Sequence, residues 1–323
     1  MLSKYVKLIN VANTKIYNIA KKTPVTKSIL LTNKYSNNIF YKREDLQDIH
    51  SFKIRGAYNK MLNINKKKKI YACSSGNHGQ GVAYIGNKLN LNTNIVMPKI
   101  TPDIKYNNIK NLGGDIILYG NSFDEAQDYC NKLVNINNGT LIHPYNDELT
   151  IAGQGTIGLE LITHLPNIDY IFCPIGGGGL ISGIGIYVKF LFPHIKIIGV
   201  QNKGAETMKL SLEHNKIIKL DNINKFSDGT AVSQVGNLTF DICKSIIDDI
   251  ILVDEEDIIK TTVDIFNDIR VIVEPAGCLA TAGIKKYIDT YNIKNNNIVS
   301  IISGSNIDIS KLNQILTEYD KIK

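Results

Sequence analysis

The hexapeptide Ser51-Phe52-Lys53-Ile54-Arg55-Gly56 places a lone lysine among an aromatic, a branched aliphatic and a glycine. An apolar setting disfavours the ammonium and lowers its pKa, which leaves an amine able to form a Schiff base. Gly56 lets backbone or a bound ring approach closely. A surface lysine that begins a helix would leave the same hexapeptide, so the rest of the chain must decide. Further on, an apolar run empties into Gly176-Gly177-Gly178-Gly179-Leu180. Unencumbered N–H groups before a helix make an anion cradle, and the helix dipole favours a negative ligand. A tight strand-to-helix turn would need only one of those glycines, so a phosphate is the expected ligand. Within this run Gly-x-Gly-x-x-Gly is not matched in any register, because Ser182 stands where Gly177-x-Gly179 would require the third glycine, and no Gly-Lys pair exists anywhere for a Walker loop. A dinucleotide or nucleoside triphosphate is therefore disfavoured.

Ser74-Ser75-Gly76-Asn77-His78 gathers small hydrogen-bond donors behind another short apolar run. At the carboxyl end of a strand such a loop suits a substrate carboxylate, and Asn77 could hold a phenolic oxygen. An ordinary capped turn has the same composition. His78 is either a catalytic group or a loop histidine tied to backbone. Ser303-Gly304-Ser305-Asn306 closes the last apolar run, where a buried hydroxyl can meet a heterocyclic nitrogen. Neither Ser75 nor Ser303 sits in a Gly-x-Ser-x-Gly elbow, which speaks against a Ser-His-Asp hydrolase.

These groups need elements to hold them. Helical spacing of Val6, Ile9, Val11, Ile16 and Ile19 predicts one helix over residues 5–20, ended by Thr23-Pro24. Strands are expected at 38–42, 70–73, 93–97, 115–119, 170–175, 196–200, 250–253 and 298–302. Helices are expected from near Lys53, through Val82, Ile85 and Leu89, before Gly113-Gly114, and over 157–165. Asp254 is placed to cap a helix. The alternation indicates an α/β fold with parallel sheets and helices on their faces. A polar stretch at 143–150 reads as a return between domains. The larger domain is then discontinuous, 1–53 and 150–323, with a smaller domain of 54–149 inserted.

At 323 residues the chain can bury a large core. A net charge of +7 comes from scattered lysines, with only Lys66 to Lys69 in a run, so nucleic-acid binding is not expected. Five cysteines, odd in number and without a Cys-x-x-Cys pair, argue against disulfides or a zinc ribbon and suit a reducing compartment. The amino terminus has no apolar signal region, and the longest apolar stretch, around 180–188, is short and broken by glycine. A soluble, cytoplasmic protein that neither enters a membrane nor binds a metal is the expectation.

The motifs taken together carry a resemblance. Tyr41-Lys42-Arg43-Glu44-Asp45, the lysine stretch from His50 to Tyr58, Ser75-Gly76-Asn77-His78 and Ala152-Gly153-Gln154-Gly155-Thr156 are followed by the glycine run. Asp228-Gly229-Thr230-Ala231-Val232, Glu274-Pro275-Ala276-Gly277 and Ser303-Gly304-Ser305-Asn306 complete the series. In this order they resemble the threonine dehydratase (threonine ammonia-lyase) family, pyridoxal-phosphate enzymes of fold type II, the tryptophan-synthase β-like group. The resemblance covers nearly the whole chain. It implies pyridoxal 5'-phosphate in a cleft between two α/β domains, Lys53 as the Schiff-base lysine, and Phe52 beside it. Gly176, Gly177, Gly178, Gly179 and Leu180 would hold the phosphate. Asn77 would face the ring oxygen and Ser303 the pyridine nitrogen. Ser74, Ser75, Gly76, Asn77 and His78 would receive an amino-acid substrate.

The implied reaction is β-elimination of water from L-threonine, giving 2-oxobutanoate and ammonia as a first step towards isoleucine, with L-serine giving pyruvate. Lys53 would remove the α-proton. A serine opposite the pyridine nitrogen should leave it unprotonated and favour elimination over transamination. A homodimer or homotetramer is expected. Three departures stand out. Only residues 307–323 follow the last motif, too few for the isoleucine-binding regulatory region of biosynthetic relatives, so no such domain is expected. Ser75 stands where many dehydratases have alanine and where serine racemase has a serine acting as acid/base on the second face. The racemase metal site would map onto Gln201, Ala205 and Thr207, which offer no carboxylate. Serine racemase or serine dehydratase activity is the enzymatic alternative, and a ligand-binding relative without turnover is the other.

Overall fold

Short runs rich in β-branched and aromatic residues form the strands. In chain order they are β1 (Val25–Lys27), β2 (Asn38–Arg43), β3 (Ile70–Cys73), β4 (Thr93–Met97), β5 (Asp115–Leu118), β6 (Thr140–Leu141), β7 (Tyr170–Pro174), β8 (Lys196–Asn202), β9 (Asp249–Val253) and β10 (Asn297–Ile302). The structure is a computed structural model that describes residues 2–322. It places these strands in two sheets, a six-stranded one ordered β1-β2-β10-β7-β8-β9 and a four-stranded one ordered β5-β4-β3-β6. All pairings are parallel except that of β1, which runs antiparallel along the edge of the larger sheet. The expected α/β fold with two parallel sheets is the one observed.

Parallel pairing requires crossovers, and helices supply them. They are α1 (Leu2–Asn13), α2 (Ile29–Tyr35), α3 (Lys53–Leu62), α4 (Asn77–Lys88), α5 (Asp103–Asn111), α6 (Phe123–Ile136), α7 (Glu148–His164), α8 (Gly179–Leu191), α9 (Thr207–Glu213), α10 (Asn237–Ile246), α11 (Glu255–Ile269), α12 (Pro275–Tyr291) and α13 (Ile309–Ile322). The larger sheet has a core on each face. Ile151, Ile181, Ile184 and Phe240 belong to one, and Ile198, Leu279, Ile284 and Ile315 to the other. A third core, with Ile54, Met61, Val82 and Ile95, lies under the smaller sheet. The α3 helix packs on both α7 and α4, so it belongs to the seam between the two sheets. Asp254 caps α11 in a reciprocal capping box with Asp257, as its position suggested.

The structure departs from the expected elements in two places that matter for the site. The helix expected over 5–20 stops at Asn13 and is followed by a single 3₁₀ turn at Ile16–Asn18. That break turns the Tyr17 hydroxyl inward to donate to Glu160 at 2.7 Å. The helix expected to begin at 157 begins instead at Glu148, where the Asp147 side chain accepts from the N–H groups of Leu149 and Thr150. The Ala152-Gly153-Gln154-Gly155-Thr156 motif is therefore helical. Its glycines are packing positions: a Cβ on Gly153 would lie 2.5 Å from the Arg55 carbonyl oxygen, and one on Gly155 would lie 3.0 Å from that of Gly183. Tertiary approach of α3 and α8 overrides the low helix propensity of glycine here.

Candidate active site

In parallel sheets the loops at the carboxyl ends of the strands face a common crevice. Here those loops follow β3, β7 and β10, and they carry the three polar motifs of the sequence. Lys53 is the first residue of α3, held against the β10 loop because the Phe52 N–H donates to the Ser303 carbonyl at 3.1 Å. Ser51 and Gly304 form an antiparallel bridge beside it. The Lys53 Nζ donates to the Pro144 carbonyl at 3.0 Å and lies 5.1 Å from the Phe52 ring centroid. Burial pulls its pKa down to about 8, only weakly opposed by the Glu274 carboxyl. A fraction of the amine is therefore neutral near pH 7.

Gly176, Gly177 and Gly178 form the loop after β7, and Gly179 and Leu180 begin α8. Gly178 takes φ +90°, open to glycine at little cost. A Cβ on Gly177 would run into the Tyr145 ring, and one on Gly179 would meet the Tyr145 Cβ at 2.8 Å. The first turn of α8 leaves N–H groups without intrahelical partners, at the positive end of a thirteen-residue helix. These are the requirements of a phosphate cradle. Pro144 and Tyr145 are consecutive, so the carbonyl that holds the Lys53 amine and the ring that packs on the cradle lie side by side.

Ser74, Ser75 and Gly76 span the turn from β3 into α4, whose first two residues are Asn77 and His78. Ser74 Oγ accepts from the Gly76 N–H at 3.2 Å, while a Cβ on Gly76 would meet nothing within 4 Å. The turn thus opens on free space. Ser75 is half-buried beside it. His78 is tied to backbone through Nε2 and the Ile142 carbonyl at 2.7 Å. Burial and the Lys53 charge push its pKa down to about 3, so it stays neutral. Two buried atoms here, Ser51 Oγ and His78 Nδ1, have no hydrogen-bond partner. Ser303 Oγ lies 3.2 Å from the Ala276 carbonyl, and its hydroxyl can rotate toward another acceptor.

Other groups at the site were not singled out from sequence for their chemistry. Glu274 is 4% exposed, and its Oε1 accepts from Asn77 Nδ2 at 2.7 Å. Asn306 Nδ2 donates to Asn77 Oδ1 at 2.8 Å. Behind Lys53, the buried Arg55 donates to Glu44 and to Glu160, and Glu160 also pairs with the buried Lys42. The only signal for Glu274 and Arg55 was their place in quoted motifs, because burial cannot be read from a charged letter. At the positions onto which a racemase-type metal site maps, Gln201 spends its amide on the Ala205 carbonyl and the Lys209 N–H. Among the described residues no group of three or more His, Cys, Asp or Glu side chains is arranged to hold a metal ion. Nor is any described helix long and apolar enough to cross a membrane.

The family model for pyridoxal-phosphate dependent enzymes matches residues 16–304. The mitochondrial threonine dehydratase of Schizosaccharomyces pombe is 44% identical over 98% of this chain and 54% of its own length. The biosynthetic L-threonine dehydratase IlvA of Pasteurella multocida is 41% identical over 94% of this chain and 60% of its own. The chain spans about half the length of the curated relatives it matches. Among solved structures, the processed form of threonine deaminase isoform 2 from Solanum lycopersicum superposes with a TM-score of 0.95 at 42% identity, covering 98% of this chain and 92% of that one. Maize serine racemase superposes with a TM-score of 0.90 at 32% identity, covering 98% of each.

Proposed function

The chain belongs to the family of pyridoxal-phosphate dependent enzymes, and on that premise we propose that it deaminates L-threonine to 2-oxobutanoate and ammonia, and L-serine to pyruvate and ammonia. The residues present fit the cofactor. A glycine cradle at a helix start suits its phosphate, a lysine of depressed pKa its aldehyde, and Asn77 and Ser303 the two polar positions of its ring. When bound, pyridoxal phosphate supplies an electron sink for charge developing at the substrate α-carbon. One observation carries the reading most: the consecutive residues Pro144 and Tyr145 contact the Lys53 amine and the glycine loop respectively. Amine and phosphate cradle are thereby set one residue apart, as a single small cofactor requires.

The chain's own groups divide the work. Lys53, neutral in part near pH 7, takes the α-proton and holds it beside the departing β-hydroxyl. The turn from Ser74 to His78 binds the substrate carboxylate, with N–H groups at the start of α4 contributing. His78 positions that turn through Ile142 and moves no proton. The enamine released after water leaves takes that water back and gives the 2-oxo acid and ammonia, so the sum is loss of ammonia alone. The retained Lys53 argues against a ligand-binding relative without turnover. We place the four-stranded sheet and its helices as a smaller domain, 54–149, inserted in a larger one of 1–53 and 150–323, with the cofactor between them. A cytoplasmic homodimer or homotetramer completes the proposal.

Ser75 keeps a second reading open, racemisation of serine, because it stands half-buried at the substrate turn with a proton to give. The test is release of 2-oxobutanoate from L-threonine and pyruvate from L-serine by protein loaded with pyridoxal phosphate, with D-serine assayed beside them. Keto-acid release well above D-serine formation supports the proposal. D-serine as the main product would replace it with racemisation, and neither product would remove both.

A further inference from the structure

Glu274 is a buried carboxyl that the mechanism above leaves without a role. It stands before Pro275 at the start of α12 but does not cap that helix with its side chain. It turns instead toward the turn after β3, where Oε1 accepts from Asn77 Nδ2 at 2.7 Å. Asn77 is held at its other edge as well, since Asn306 Nδ2 donates to Asn77 Oδ1 at 2.8 Å and to the Ile49 carbonyl at 2.8 Å. Both edges of one amide are thus fixed, with one Nδ2 proton left to offer. The fit is tight: a Cβ on Gly304 would come within 2.5 Å of Glu274 Oε1.

We propose that Glu274 is a positioning residue for the cofactor ring, setting the orientation and donor strength of the Asn77 amide according to whether its own carboxyl carries a proton. An ionised carboxylate only accepts, and it does so about twice as strongly as a neutral group. It therefore commands the nitrogen edge of Asn77 and polarises the remaining Nδ2 proton. A protonated carboxyl accepts weakly and brings an O–H that competes for the oxygen edge. The proposal rests on the reading of the site as a pyridoxal-phosphate site. It adds a proton-dependent control of the ring contact to that reading.

The surroundings put that change near working pH. Burial first, and then the Asp228 carboxylate, push the Glu274 carboxyl up to about 8, while its bond from Asn77 and the Lys105 ammonium pull the other way. Lys53 faces it across the site. Glu274 also forms part of the wall of a cavity of about 280 Å³, where Lys225, Asp308 and Lys311 are the further charged groups. A proton therefore has a route to solvent.

The experiment follows the visible spectrum of pyridoxal phosphate bound to the purified protein between pH 6.5 and 9.5, with its dissociation constant from the apoprotein at each pH. The wild type is expected to show a one-proton transition near pH 8. Glu274→Gln keeps an acceptor for Asn77 but cannot ionise; it should lose the transition and bind the cofactor about tenfold more weakly above pH 9, the loss of one charged hydrogen bond. Persistence of the wild-type transition in Glu274→Gln would overturn the proposal, as would a wild-type spectrum flat across the range. Should that variant not fold, Asp228→Asn keeps Glu274 and removes the charge that raises it. Its transition should move to lower pH, and an unmoved midpoint would count against the proposal. Wild-type protein that neither binds the cofactor nor releases a 2-oxo acid would overturn the site reading itself, whereas normal binding and turnover with the wrong pH behaviour overturns only the role of Glu274.

Discussion

In the proposed reaction the chemistry turns on the amine of Lys53, and its depressed pKa makes a directional statement. Covalent uptake of pyridoxal phosphate needs the neutral amine. The rate of uptake by apoprotein should therefore rise with pH through about 8 and level off above it. Stopped-flow absorbance would follow this, and a rate that falls over that range would remove the assignment. Lys53→Ala should stay folded by circular dichroism and lose the borohydride-fixed mass increase. Its turnover should drop by on the order of 10³-fold or more, as expected when a positioned base is lost. Ser75 is a different case, since it has no bond that commits it. If it binds the carboxylate, Ser75→Ala should raise KM several-fold with kcat nearly kept. If it is a second acid/base, the substitution should instead stop solvent deuterium from entering unreacted L-serine. The first outcome is expected, and mass spectrometry of recovered serine separates the two.

At the scale of the element, Lys53 is only as well placed as α3, and α3 is held by ions buried behind it. Arg55 joins it to Glu44 after β2 and to Glu160 of α7, and Lys42 joins β2 to the same Glu160. Burial alone would raise the Glu160 carboxyl, but Arg55 and Lys42 hold it below the usual carboxylate range. A depressed native pKa means the unfolded chain binds more protons as the solution is acidified. This contribution is whole above the ordinary carboxylate pKa and is lost as pH falls toward the depressed one. Glu160→Gln leaves two buried cations short of a partner and should cost about 3–5 kcal/mol at pH 7. The variant should then lose less than the wild type between pH 7 and pH 4, and urea unfolding at the two values measures both. Such a cluster shows the limit of what can be read from letters. The β-α alternation, the cap at Asp254 and the loop glycines were legible, because local spacing carries them. The early start of α7 was not, because Gly153 and Gly155 read as breakers until α3 and α8 lie against them. Arg55 and Glu274 gave no sign of burial, because what pays for a buried charge lies on elements distant in sequence.

On the scale of the whole molecule, two sheets face one crevice, and few charged contacts cross its mouth. Lys105 on α5, from the side of the smaller sheet, pairs with Asp228 of the loop between α9 and α10 at 2.6 Å. The side chains are 27% and 52% exposed, so the pair adds about 0–1 kcal/mol to stability at most. Its position gives it another use. Both charges bear on Glu274, Asp228 raising its pKa and Lys105 lowering it. Any motion that parts α5 from that loop would take Lys105 away from Glu274 and leave Asp228 unpaired near it. The carboxyl would then hold its proton to higher pH, and Asn77 would lose its strongest acceptor while the crevice is open. Lys105→Met imitates the parted state without unfolding anything. Its melting temperature should stay close to that of the wild type, while the transition in the bound-cofactor spectrum moves to higher pH, opposite in sign to Asp228→Asn. Raising the salt concentration should shrink both displacements, because the Debye length falls from about 10 Å at 0.1 M to about 3 Å at 1 M. If Lys105→Met shifts the midpoint downward, or leaves it in place while Asp228→Asn moves it, then the pair is a surface contact and the two sheets do not share control of Glu274.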